Sequence, residues 1–187
     1  MTSAFGLCAA ATALLALPGT AMAAGITYDC DTAANHFSEL SLPTSGVRFT
    51  VSGHVQMNAM AASKTYVPLA RLQIAAAVAP GESPKDYVGF TLSALAADPK
   101  KTPSGAAAVP MLAYSVSGKD DDLLSFSMLE KPFILQTFSL SYDGSTVVVN
   151  LGKESKSFPL KVAEPVVRIV CSTGEFLFTD LAIKSAG

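Results

Sequence analysis

The chain has 187 residues and a net charge of −2, with 50% apolar and 15% charged residues. This length and apolar content suffice for one globular domain with a substantial core. No block of basic residues is present, which argues against binding to nucleic acid or to an anionic membrane surface. The composition therefore predicts a compact single domain with neither of those partners.

The N-terminal segment has the pattern of an export signal. Residues 5–17 are almost wholly apolar or small, Pro18 ends any helix, and Ala21-Met22-Ala23 is a small-x-small sequence of the kind that signal peptidases cleave. We therefore predict a signal peptide over 1–23 and a secreted or periplasmic domain over 24–187, without a transmembrane segment. An uncleaved anchor is the alternative, but the apolar run is short for a membrane span of about 20 residues.

Two cysteines, Cys30 and Cys171, lie near the two ends of the mature chain. Outside the cytoplasm, two thiols in one small domain usually form a disulfide. A Cys30–Cys171 bridge would close a loop of about 140 residues and stabilise the fold by roughly 5 kcal/mol on the chain-entropy model. Two separate buried thiols are the alternative. A catalytic thiol is disfavoured because His36 and His54 form no recognisable Cys/His arrangement.

The clearest strand covers residues 47–58, where apolar residues such as Val51 and Val55 alternate with polar ones such as Ser52 and His54. A period of two is typical of a half-buried strand with one solvated face. Such strands belong to antiparallel sheets, since parallel sheets are usually covered on both faces.

The same alternation recurs along the rest of the chain. Further strands are predicted at 70–74, 88–94, 124–128, 138–142, 147–151, 158–162, 166–171 and 176–183. Turn signals separate them at Pro80-Gly81, Ser117-Gly118, Asp143-Gly144, Leu151-Gly152 and Thr173-Gly174. Roughly ten short strands at this spacing predict an all-β antiparallel sandwich or barrel.

The middle of the chain is less regular. Residues 98–109 are rich in Pro, Lys, Ser, Gly and Ala and are predicted to form a surface loop. The alanine clusters at 75–79 and 106–108 are predicted to form short helical turns, which Pro80 and Pro110 end.

The run Phe138-Ser139-Leu140-Ser141-Tyr142-Asp143-Gly144 leads into a Val-rich strand and a second turn at Gly152. It resembles concanavalin A-like and laminin-G-like sandwiches, and residues 176–183 look like their final strand. The resemblance covers only the C-terminal part of the chain. It implies a two-sheet jelly roll whose first and last strands often lie side by side, which would bring Cys30 and Cys171 together. That fold hosts lectins, adhesion modules, glycan hydrolases and structural domains, and it does not choose among them.

A suitably placed pair of carboxylates would indicate a glycan hydrolase. Glycan hydrolysis needs two carboxyl groups flanking the scissile bond, and glucanases of this fold carry theirs in a Glu-x-Asp-x-x-Glu type of run. The sequence has no such run. Asp29 and Asp31 would share a strand face, but they flank the expected disulfide and are interpreted as polar groups at a sheet edge. No catalytic residue is predicted, and a hydrolase with dispersed residues remains a remote alternative.

A calcium site is considered at the densest acidic cluster, Asp120-Asp121-Asp122. Carboxylate oxygens suit Ca²⁺, and a loop could direct two of the three, Asp120 and Asp122, at one ion. A solvated turn before the next strand is the alternative, and we favour it. No other cofactor is predicted.

Glycan-binding residues are sought among the tyrosines, since the chain contains no Trp. Tyr66 and Tyr87 fall at outward or loop positions, where an aromatic ring can stack on a ligand. His54, on the polar face of its strand, is a further candidate. Tyr114 and Tyr142 are instead predicted to pack in the core.

Three functional hypotheses follow from these patterns. The first is a non-catalytic binding or adhesion module for a glycan or another extracytoplasmic protein, since the pattern is that of a sandwich without a catalytic set. The second is a structural, self-associating protein of the cell envelope, suggested by low charge, high Ala and Val content and Ser/Thr-rich strand faces. The third is the glycan hydrolase.

Overall fold

The computed structural model describes residues 25–44, 46–61, 63, 65–96, 108–118, 123–128 and 134–185. Every helix or strand within these residues is a β-strand. The strands are β1 (Ile26–Pro43), β2 (Phe49–Met60), β3 (Leu69–Ala76), β4 (Tyr87–Ala96), β5 (Ala108–Val116), β6 (Leu123–Met128), β7 (Gln136–Tyr142), β8 (Thr146–Leu151), β9 (Glu154–Pro159) and β10 (Pro165–Ser185). The predicted signal segment and the acidic residues Asp120 and Asp122 lie outside the described residues.

All strand pairs are antiparallel, in the order β6-β5-β4-β3-β10-β2-β7-β8-β9, with β1 also paired to β10. The first half of β10 pairs with β3 over 165–172, and its second half pairs with β2 over 174–185. Strand β1 follows β10 along both halves. The result is two sheets that share two long strands. Sheet A contains β6, β5, β4 and β3, and sheet B contains β9, β8, β7 and β2.

The core lies between these two sheets. The rings of Phe90 on β4 and Phe138 on β7 are 5.0 Å apart between centroids, and those of Tyr114 on β5 and Phe158 on β9 are 5.7 Å apart. Their inward neighbours on both sheets are almost fully buried. The predicted two-sheet antiparallel sandwich is confirmed, as is the packing role of Tyr114.

The predicted disulfide is present and joins β1 to β10. Cys30 and Cys171 have Cα atoms 6.3 Å apart and are both buried. They lie where the two strands pass from one sheet to the other, so the bridge fastens the first strand to the last. Disulfides of this kind form and persist in oxidising compartments.

A bulge accompanies this passage between sheets. Residues 33–36 of β1 are inserted opposite the single residue Thr173 of β10. Asn35 and Thr173 both adopt left-handed backbone conformations, with φ of 64° and 57°. Such bulges bend a strand and increase its local twist. The predicted turn at Thr173-Gly174 is therefore wrong, because β10 continues through these residues and bends from sheet A into sheet B.

Other expectations fail where alanine and proline are built into strands. Ala75 is fully buried within β3, between partners on β4 and β10, and residues 77–79 form no helical turn. Strand β5 begins at Ala108, inside the predicted loop, and carries Pro110 opposite Ala94. Strand β9 covers Glu154–Pro159 and overlaps the predicted 158–162 segment only at residues 158 and 159. In each case pairing with neighbouring strands overrides local propensity.

The hairpin predicted at Asp143-Gly144 is confirmed between β7 and β8. Only Gly144 of this pair has a positive φ, at 100°. The Asp143 carboxylate accepts hydrogen bonds from the backbone amides of Ser145 and Thr146, both at 2.8 Å. These bonds, led by the one from Ser145, hold the pKa of Asp143 below its usual range.

Candidate functional site

The outer face of sheet A carries polar side chains that are unusually buried for a sheet face. Each of the following is at most 6% exposed: Gln73, Thr91, Ser93, Ser115 and Arg168. They alternate with core residues along their strands, so they point away from the sandwich core. Polar residues on an open sheet face are normally exposed. Two of the five, Gln73 and Arg168, lie on the floor of a concavity.

A cavity of about 720 Å³ lies over this floor, and we call it the cleft. Five parts of the chain line it, namely β1, the segment 65–69, β3, residues 81–87 and the first half of β10. The lining residues used below are Phe37, Glu39, Tyr66, Arg71, Gln73, Tyr87 and Arg168. A concavity of this size with apolar walls and a few polar groups is typical of a small-ligand site.

Gly89 on β4 lies opposite Gln73 on β3, where the two strands leave no room for a side chain. A Cβ atom at this position would overlap the backbone oxygen of Leu72 and lie 2.6 Å from the Cα atom of Gln73. Strand β4 can therefore lie close to β3 beneath the cleft only because residue 89 has no side chain.

Arg168 connects two walls of the cleft. Its Nε and Nη2 atoms donate to the two carboxylate oxygens of Glu39 on β1, each at 2.7 Å. Nη2 also donates to the backbone oxygen of Glu82, at 2.8 Å. The hydrogen bond from Arg168 is the main cause that lowers the pKa of Glu39. Glu39 is thus held as a carboxylate, and Arg168 fixes both β1 and the 81–87 loop.

Arg71 belongs to a second polar group on the floor. Its Nε atom donates to Thr91 Oγ1 at 3.1 Å, and its guanidinium carbon lies 5.5 Å from the centre of the Tyr87 ring. Thr91 Oγ1 is also 2.6 Å from Ser115 Oγ. The Tyr87 ring and these hydroxyls therefore hold the Arg71 side chain in place at the cleft.

Two polar atoms on the same face lack hydrogen-bond partners. Gln73 Oε1 and Ser93 Oγ are both buried, and neither is hydrogen-bonded to any residue in the described part of the chain. A buried acceptor without a partner costs about 1–3 kcal/mol of stability. Gln73 also lines the cleft, so a ligand that carries O–H or N–H donors would satisfy its oxygen.

Aromatic side chains stand around this polar floor. Tyr66 is 54% exposed and Phe37 is 68% exposed, while Tyr87 is half-buried. The structure thus brings together Tyr66 and Tyr87, the two tyrosines predicted as ligand residues. Phe37, Arg71 and Gln73 were missed by the sequence reasoning. For Arg71 and Gln73 a signal existed, since both alternate with core residues of β3.

His54 lies away from the cleft. It is on the outer face of sheet B, with its Nδ1 atom 3.4 Å from Asp180 Oδ2. Its role in ligand binding stays a prediction, and it would belong to a different surface. Tyr114 and Tyr142 are buried, and burial raises the pKa of Tyr114 to about 12.

The described residues contain neither a metal-binding cluster nor a membrane-spanning helix. Within them, no group of three or more His, Cys, Asp or Glu side chains could hold a metal ion. This leaves the proposed calcium ligands Asp120 and Asp122 untested. The part of the chain that the structure describes contains no helix that could span a membrane.

No protein-family model matches the chain, and no curated protein matches it in sequence. Solved structures nevertheless share its fold. The PL7 alginate lyase of Zobellia galactanivorans is 12% identical, with a TM-score of 0.51, over 86% of this chain and 77% of the lyase. An alginate lyase of Alteromonas sp. 272 is 6% identical, with a TM-score of 0.52, over 86% and 87%.

A functionally unknown protein from Saccharomyces cerevisiae has the same architecture. It is 11% identical, with a TM-score of 0.51, over 86% of this chain and 88% of the yeast protein. Likeness at such identities shows the fold alone. The chain therefore has the concanavalin A-like jelly-roll fold that the Asp143-Gly144 hairpin and the final strand led us to expect.

Proposed function

We propose that this protein is an exported, non-catalytic module that binds a glycan in the cleft. The observation that carries the proposal is the Oε1 atom of Gln73, a buried acceptor without a partner on the floor of a cavity with aromatic walls. A saccharide has hydroxyl donors around its rim and apolar C–H faces. It therefore suits both the unpaired oxygen and the exposed rings of Phe37 and Tyr66.

The described residues that line the cleft include one carboxylate, that of Glu39. Its ionised, hydrogen-bonded state favours a binding role over hydrolysis. Glu39 accepts two hydrogen bonds from Arg168 and is held as an anion. Hydrolysis of a glycosidic bond uses two carboxyl groups, one of them able to donate a proton. Two of the solved structures with this fold are alginate lyases, so bond cleavage is a measurable alternative outcome.

Export is supported by two independent features. The disulfide between Cys30 and Cys171 suits an oxidising compartment. The apolar N-terminal segment followed by Ala21-Met22-Ala23 has the pattern of a cleaved signal. Together they support a secreted or periplasmic location, where glycans of the cell surface are accessible.

Affinity electrophoresis of residues 24–187 tests the proposal. Native gels would contain laminarin, hydroxyethyl cellulose, xylan, galactan or alginate. We expect at least one polymer to retard the protein, and Gln73→Met to abolish the retardation without lowering the free energy of unfolding, because the oxygen that it removes is buried without a partner. Ser139→Ala, on the outer face of sheet B, is the matched control and should be retarded like the wild type.

Three outcomes would overturn the proposal. The first is no retardation by any of the five polymers. The second is equal retardation of the wild type and Gln73→Met. The third is release of new sugar ends from a retarding polymer, which would make the protein an enzyme. A strictly monomeric species in sedimentation at high concentration would in addition argue against the alternative of a self-associating envelope protein.

A further inference from the structure

One side of the cleft is built from two segments that a side-chain hydrogen bond joins. Ser63 Oγ donates to Asn35 Oδ1 at 2.7 Å. The same oxygen accepts the backbone amides of Thr65 and Tyr66, at 3.1 and 3.0 Å. Ser63 therefore fixes the backbone that carries Tyr66 to the bulge of β1.

Asn35 can make this connection because of its unusual backbone. It lies in the four-residue bulge opposite Thr173 and has a φ of 64°. Among residues with a side chain, Asn is one of the few that adopt this conformation readily. Pairing with β10 resumes two residues later, at Phe37. One bulge thus positions Phe37 directly and Tyr66 through Ser63.

Phe37 and Tyr66 are among the most exposed large apolar or aromatic side chains that the structure describes. Both line the cleft, whose floor carries Arg71 and the unpaired oxygen of Gln73. Exposed aromatic rings beside a polar concavity mark a binding surface more often than a packing accident. An aromatic ring supplies a large contact area with little loss of conformational entropy.

We infer that Phe37 and Tyr66 form an aromatic subsite that stacks on the C–H face of a hexopyranose ring, and that Asn35 and Ser63 are its positioning residues. The inference rests on the proposed glycan-binding function and adds to it the subsite and the part of the sugar that it recognises. The ring face contacts the aromatic side chains, while the hydroxyl edge reaches the floor at Gln73.

Affinity electrophoresis in laminarin and hydroxyethyl cellulose, two glucose polymers, tests the subsite. We expect Phe37→Ala and Tyr66→Ala each to weaken retardation about tenfold, which corresponds to a loss of about 1.4 kcal/mol of binding free energy. Val47→Ala removes another exposed apolar side chain, outside the cleft lining, and should behave as the wild type. All four proteins should share one melting temperature, because these side chains are exposed.

A second measurement tests the positioning residues without any ligand. Asn35→Gly keeps the positive φ, which glycine adopts freely, but removes the acceptor for Ser63. We expect faster hydrogen exchange at the amides of Thr65 and Tyr66 in Asn35→Gly, and a larger increase in Ser63→Ala, which removes their acceptor. Retardation by the glucose polymers should fall several-fold in both variants.

The outcomes separate the two proposals. If the glucose polymers retard wild type, Phe37→Ala and Tyr66→Ala equally, the aromatic subsite is wrong while glycan binding stands. If only galactan or alginate retards the protein, the aromatic subsite is tested on that polymer with the same variants, and equal retardation again overturns it. If only xylan, a polymer of pentopyranoses, retards the protein, the hexopyranose assignment is wrong. If no polymer retards the wild type, both proposals fail. Unchanged amide exchange in Asn35→Gly overturns the positioning role.

Discussion

The outer faces of the two sheets are made from the same residue types but differ in their surroundings. On sheet B, Thr50 and Ser141 are hydrogen-bonded at 2.9 Å, Asn150 donates to Ser139 at 2.9 Å, and all four are partly exposed. On sheet A, Gln73, Thr91, Ser93 and Ser115 are almost fully buried, and Gln73 Oε1 has no partner among the described residues.

This difference shows that alternation alone does not distinguish a solvated face from a binding face. Both faces follow from a period of two along their strands. Sheet A becomes a cleft because the bulged strand β1, the segment 65–69 and the 81–87 loop stand around it. The near-complete burial of its polar side chains, rather than their polarity, separates the outer face of sheet A from that of sheet B.

The largest expected effect concerns the bridge that fastens β1, one wall of the cleft, to β10. Replacing Cys30 and Cys171 with alanine should lower the free energy of unfolding by roughly 5 kcal/mol, since the two residues are 141 positions apart. Urea denaturation of oxidised wild type and double variant measures this difference. A loss below about 1 kcal/mol would mean that the bridge contributes little to holding β1.

A smaller effect is expected from breaking the ion pair beneath the cleft. Glu39→Gln leaves the Arg168 guanidinium, only 8% exposed as a side chain, without its carboxylate partner, and should cost about 3 kcal/mol. The matched control on sheet B is Asp180→Asn, whose carboxylate is exposed and should contribute nothing measurable. Equal urea midpoints for Glu39→Gln and the wild type would contradict the importance of this pair.

The same ion pair sets a pH dependence. Folding lowers the pKa of Glu39 from its ordinary value of 4.5. Its contribution to stability is therefore complete above about pH 5 and is lost as the pH falls through the lower, folded value. The difference in the free energy of unfolding between wild type and Glu39→Gln should be smaller at pH 3 than at pH 7. A difference that persists unchanged at pH 3 would show that the carboxylate charge is not the cause.

The smallest effect is expected on sheet B. Ser141→Ala removes one partly exposed hydrogen bond to Thr50 and should cost about 0.5–1 kcal/mol. It should leave retardation by every polysaccharide unchanged. Weakened retardation in this variant would move the binding surface to sheet B and remove the distinction between the two faces.

Much of the fold could be predicted because most strands alternate strictly, as β2 and β7 do. Strand β1 was not predicted as a long strand, since its run Thr32-Ala33-Ala34-Asn35-His36 follows no period and forms a bulge. Strand β10 was divided at Thr173-Gly174, because a strand that passes from one sheet to the other changes which side faces the core. The alternation of apolar and polar residues along a strand does not indicate which sheet the strand joins.

The site was predictable only in part. Tyr66 and Tyr87 were identified from their outward or loop positions, and both line the cleft. The burial of Gln73 and Arg168 could not be predicted from the sequence, because it depends on how segments distant along the chain surround sheet A. Phe37 lies on the strand that was missed, so its neighbours could not be inferred.

Chemical-shift mapping of backbone amides tests the central claim most directly, because it observes both outer faces in one experiment. Residues 24–187 would be titrated with an oligosaccharide of the polymer that retards the protein most. We predict shifts at residues 37–39, 65–73, 81–87 and 168–172, and none at 50–56 or 137–141. Shifts confined to 50–56 and 137–141 would contradict the assignment of the ligand site to sheet A.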